Sequence, residues 1–88
     1  MKLDGGKGGT KEDAIIIKDV KNDFEGIGIE YEYLRNIYGA QNVDWTLQGQ
    51  ALIQDEKTEK CYDLMTVKLK SGEVNEVWFD LSDFYGKN

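Results

Sequence analysis

The side chains in this chain that could do chemistry are mainly carboxylates. Asp63 shares the odd parity of Cys61 and Met65 within CYDLMTVKLK, which turns a charged group toward the interior of a strand. Asp80 and Asp83 lie at the end of VNEVWFDLSD. If the three converged, they would form a hard-cation or hydrolytic site. Taken singly, they read as strand-end acids that cap loops or pair with Lys60, Lys68 or Lys70. The chain has no histidine, which removes the commonest general base, the usual partner of a Ser or Cys nucleophile, and most zinc ligand sets. The single cysteine, Cys61, points inward by strand parity and reads as a structural core residue rather than a reactive thiol. The run DEKTE at 55–59 lacks the spacing of a calcium loop. GGKGGT at 5–10 places Gly8 after Lys7 and has no expected strand before it, so it does not read as a phosphate loop. The expectation is a chain with no catalytic residue, no metal-ligand set and no cofactor motif.

Composition agrees with that reading. Eighty-eight residues make one small domain, and 40% hydrophobic with 11% aromatic residues is the content of a folded one. A formal charge of -6 argues against phosphate backbones and anionic membranes and leaves room for a basic protein partner. No stretch approaches the ~20 apolar residues that span a bilayer. The start MKLDGGKGGTKED has no apolar h-region, so no secretory signal is expected. A lone cysteine leaves the fold to stand on packing, which suits a reducing cytoplasm, the expected location.

The elements that must position these groups follow from periodicity. Residues 1–13 hold four of the ten glycines and little to bury, and they read as a flexible lead-in to a single domain over 14–88. AIIIKDV at 14–20 carries three successive β-branched isoleucines and reads as a short peripheral strand. Over 27–38, Ile27, Tyr31, Leu34 and Tyr38 recur at i, i+4, i+7 and i+11, which predicts a helix. Asn22 or Asp23 could cap it, Glu30 and Glu32 suit its N-terminal end, and Gly39 suits its C′ position. Over 43–81 the chain reads as a three-strand meander. Val43, Trp45, Leu47, Ala51 and Ile53 form one inward row, Cys61, Met65, Val67 and Leu69 a second, and Val77, Phe79 and Leu81 a third. Gly49 interrupts the first row and marks a bulge or a close approach of the helix. Phe84 and Tyr85 are expected to fold back onto the rim of the core. The fold expected is α+β: a three- or four-stranded antiparallel sheet (43–81, with strand 14–20 as the fourth) and one helix across one face.

The outer side of that sheet is unusually apolar. Tyr62, Leu64, Val74 and Trp78 have the parity opposite to the inward rows. A turn at Ser71–Gly72 sets Leu64 opposite Phe79, and a one-residue slip sets it opposite Trp78 instead. Tyr62, Leu64 and Trp78 are therefore the candidate protein-interface residues.

GGTKEDAIII, GIEYEYLRNIYG, VDWTLQGQ, CYDLMTVKL and the close VWFDLSDFYGK together resemble a set of short bacterial proteins to which no activity is attached. They share a Gly-rich start, a Tyr-rich helix and an FD-x-S-x-F-[FY]-G ending. The resemblance covers nearly the whole chain and implies a bacterial, self-contained α+β domain; it transfers no catalytic residue. The function expected is a small, acidic, non-enzymatic protein-binding module, in one version an inhibitor or immunity-type protein that masks a basic site by charge complementarity. The alternatives are a homodimeric structural domain, and a carboxylate-based metal-binding or hydrolytic site around Asp63, Asp80 and Asp83.

Overall fold

The computed structural model describes residues 2–21 and 23–83. The elements run β1 (Lys2–Gly5), β2 (Ile15–Lys18), α1 (Asp23–Tyr38), β3 (Trp45–Asp55), β4 (Lys60–Leu69) and β5 (Val74–Asp80). The fold is α+β. The strands form one sheet in the order β1-β2-β5-β4-β3. The meander is present as β3, β4 and β5, in antiparallel pairs. β2 joins it parallel to β5, through Ile15↔Phe79 and Ile16↔Asp80, so the sheet is mixed rather than wholly antiparallel.

The Gly-rich segment differs from the expected lead-in. Its first residues form β1, antiparallel to β2 from Lys2↔Lys18 to Gly5↔Ile15. The loop between them is held by its own backbone: Gly6 N–H donates to Ala14 O at 3.2 Å and Gly8 N–H to Asp13 O at 2.8 Å. Gly8 has φ +84°, and a Cβ there would press on the Ile15 and Val77 side chains. This glycine therefore serves close packing, not freedom of the chain.

α1 starts four residues before its expected start, and Glu25 places negative charge in its first turn. Asn22 lies outside the described residues, as do Phe84 and Tyr85. The buried helix face is also rotated from the expected one. Ile27 is 46% exposed, whereas Ile29 and Leu34 belong to the main buried cluster with Ile15, Ile17, Trp45, Met65, Val67, Val77, Phe79 and Leu81. The tyrosine row lies beside it: the Tyr33 ring meets Phe79 edge-on at a centroid distance of 5.7 Å. Gly39 ends the helix at φ +104°, with its N–H on Arg35 O at 3.0 Å. The Trp45 indole N–H then donates to Gly39 O at 2.8 Å, tying the helix end to the first residue of β3.

Gly49 does mark a bulge. Leu47 pairs with Val67 and Gly49 with Thr66, leaving Gln48 as the extra residue. Beyond it the parity of β3 inverts. Leu52 faces Asp63, while Ala51 faces Leu64 and Ile53 faces Tyr62. Ala51 and Ile53 thus leave the inward row assigned to them and stand on the outer face with Leu64 and Tyr62. Gln50, opposite Met65, comes to the helix side.

Candidate functional site

The three candidate interface residues meet on the outer face. The β4–β5 turn adopts the slipped register, with Leu64 opposite Trp78 and Tyr62 opposite Asp80. With the β2 and β3 pairings this builds two cross-strand rows. One runs Ile16, Asp80, Tyr62, Ile53; the next runs Trp78, Leu64, Ala51. The Tyr62 and Trp78 rings meet edge-on at 6.0 Å. Trp78 and Leu64 are half-buried, but Tyr62 is only 5% exposed, so it supports the patch more than it presents itself.

The β1–β2 loop covers Tyr62. Lys11 on this loop reaches Asp55 at the end of β3, on the far edge of the sheet, with Nζ 3.1 Å from Oδ2. Lys11, Ile16, Asp55, Lys60, Tyr62 and Asp80 line a cleft of about 480 Å³. The Asp55 carboxyl is held below its ordinary range by the hydrogen bond from Lys11 and then by the Lys57 backbone N–H, and the Lys11 ammonium is raised in turn by Asp55. Burial, followed by the Asp80 and Asp55 charges, pushes the Tyr62 phenol up. The wall of the cleft is an ion-paired rim around a neutral aromatic floor.

The three carboxylates considered as a metal or hydrolytic site are not brought together. Asp63 stands opposite Phe79 on the helix side, and Asp80 stands opposite Tyr62 on the other. Asp80 accepts the Ser82 N–H at 2.9 Å and lies 4.0 Å from Lys60 Nζ. Asp83 accepts the Asp19 N–H at 3.4 Å. Among the described residues no group of three or more acidic or cysteine side chains could hold a metal ion. Cys61 is half-buried rather than in the core. The GGKGGT segment does follow a strand, β1, but it leads into β2 and not into a helix, so the phosphate-loop arrangement is absent there.

Asp63 does point inward, and its partner is one the sequence reading assigned elsewhere. Glu30 of α1 is 1% exposed, and neither of its oxygens receives a hydrogen bond from an N–H or hydroxyl donor. Its neighbour is the Asp63 carboxyl. Burial, then the hydrogen bond to Asp63 and that residue's charge, push Glu30 up to about 10. Glu30 therefore carries the proton and donates it to Asp63, and the Gln50 amide donates to Asp63 Oδ2 at 2.7 Å. Glu30 was legible in principle: Gly26, Ile29, Glu30, Tyr33 and Leu34 follow the i, i+3, i+4, i+7, i+8 pattern of one buried face. Gln50 was hidden behind the bulge.

Among the described residues no helix is long and apolar enough to cross a membrane. No family model, curated protein or solved structure matches the chain, so its reading rests on its own geometry.

Proposed function

We propose that this chain is a small, acidic, non-enzymatic module that binds another protein through the outer face of its sheet. The observation that carries the reading is the pair of cross-strand rows on that face. Trp78, Leu64 and Ala51 form one apolar row, and Tyr62 and Ile53 extend it in the next, with Asp80 set between Tyr62 and Ile16, beside the Lys11–Asp55 and Lys60–Asp80 pairs. An apolar centre with a charged rim is the usual anatomy of a protein interface. The formal charge of -6 favours a basic partner, as an inhibitor or immunity-type protein would have. The carboxylates add no competing chemistry: Asp63 is occupied by Glu30 and Gln50, and Asp80 by Ser82 and Lys60.

The test is affinity capture from cells of the source organism, comparing the natural chain with a Leu64→Ser, Trp78→Ser double variant that still melts cooperatively. Loss of the same specific partner on the double change supports the reading. Capture of an unchanged set of partners rejects the outer face. Light scattering separates the homodimer: a mass near 10.0 kDa at all concentrations excludes it, and a doubled mass that reverts in the double variant would replace the present proposal.

A further inference from the structure

The sheet has a second feature that could hold a partner, and it is an edge rather than a face. β2 is too short to cover β5. Its pairing with β5 is confined to Phe79 and Asp80, and the neighbouring Trp78 N–H donates to Gly8 O at 2.7 Å. Over Val74–Val77, β5 is paired with β4 on one side, and among the described residues no strand pairs with its other side. Strand backbone groups alternate in direction. Because the Trp78 N–H points toward Gly8, the N–H and C=O groups of Glu76 and Val74 point the same way. They open into a groove of about 810 Å³ between the β1–β2 loop and the C-terminal half of α1. Lys7 and Asp13 line one wall, and Tyr33, Ile37 and Tyr38 the other. Ile37 and Val74 are 52% and 55% exposed.

We propose that this gap takes an extended segment of a partner protein as an added strand beside β5, with apolar and basic residues alternating along it. The backbone groups of Glu76 and Val74 supply the ladder. Alternation then sorts the side chains of the incoming strand. Those on the helix side lie over Tyr33 and Ile37 and are apolar. Those on the outer side lie beside Glu76 and are basic, in keeping with the net charge of -6. The open length, four residues at about 3.3 Å each, admits a short segment of roughly 13 Å. The long outer edge of β3 is a poorer receptor, because the bulge at Gln48 breaks its ladder.

The inference rests on the reading of the chain as a protein-binding module, and the two fail separately. The probe is a capped seven-residue peptide of alternating valine and lysine, added to the 15N-labelled full chain. Expected are shifts at Val74, Glu76, Tyr33 and Ile37, with amide exchange at Glu76 slowed about tenfold or more at saturation. Glu76→Lys should weaken this peptide at least about fivefold and favour a valine–glutamate peptide, because it reverses the charge beside the ladder. Glu76→Pro, which removes the outward N–H but no bond to β4, should abolish the effect of either peptide. Leu64→Ser, on the outer face, should leave peptide binding unchanged even if it abolishes partner capture. No shift up to millimolar peptide would overturn the proposal. So would shifts confined to Ala51–Asp55, which would place the peptide on β3, or shifts that depend on protein concentration without peptide, which would make the occupant a second copy of the chain.

Discussion

Glu30 on α1 and Asp63 on β4 meet carboxyl to carboxyl in the interior, and the proton between them belongs to Glu30. The arrangement couples folding to pH in a direction opposite to that of an ordinary paired carboxylate. Glu30 rises from 4.5 to about 10 on folding, so the folded state binds the extra proton. Stability from this group is fully present below about pH 4.5 and declines as pH rises toward 10.

Glu30→Gln mimics the protonated form without the need to take up a proton. At pH 7 the natural chain stands two and a half pH units above 4.5, at about 1.36 kcal/mol each. Glu30→Gln should therefore stabilise by up to about 3 kcal/mol at pH 7, and by little near pH 4. Urea melts of both chains between pH 4 and 9 measure this. A natural chain and variant that run parallel across that range would show that Glu30 is ionised in the fold.

Asp55 should behave in the opposite sense. Its folded value is depressed by Lys11, so its contribution is present above its ordinary range and is lost as pH falls through the depressed value. A carboxyl NMR titration should show Asp55 among the last side chains to protonate in acid, and Lys11→Ala should return it toward 3.8. An Asp55 that titrates normally in the natural chain would remove the Lys11 contact from solution.

Trp45 and Phe79 are 1% and 0% exposed and lie in the same cluster. Either residue changed to Ala should cost about 3–5 kcal/mol and leave a chain of this size largely unfolded. Trp45→Phe keeps most of the packing but loses the bond to Gly39 O, and should cost about 1–2 kcal/mol beyond the volume change. A urea midpoint for Phe79→Ala close to that of the natural chain would contradict the placement of the core.

Deleting Gln48 tests the bulge directly. In regular alternation Ala51 and Ile53 would turn toward α1, and Gln50 would turn away from Asp63. The lost bond between the Gln50 amide and the Asp63 carboxylate should alone cost about 1.5–3 kcal/mol, with mispacking of Ile53 in addition. Cross-strand contacts seen by NMR report the outcome. Retention of Ile53 opposite Tyr62 would mean that the neighbouring turns set the register and the bulge does not.

What the chain determines locally is the kind and rough extent of most elements. The β-branched run at 15–17, the period-2 rows of 43–81, the glycine after Tyr38 and the interruption at Gly49 each carry their signal within a few residues, so β2, the meander, the helix end and the bulge were legible. The inward direction of Asp63 and the shared face of Tyr62, Leu64 and Trp78 followed from the same alternation. Tertiary structure decided whatever depends on a distant partner. The parallel docking of β2 on β5 joins residues more than sixty positions apart, and nothing local distinguishes it from an antiparallel edge. β1 exists because β2 offers it a ladder, not because KLDG has strand propensity. The helix could have buried the row through Ile27, but the face through Ile29 and Leu34 meets Phe79, Met65 and Trp45, and that choice placed Glu30 against Asp63. Local patterns specify which elements can form. The energies of packing between elements far apart in sequence select which faces meet, and here that selection created both the buried acid pair and the open edge of β5.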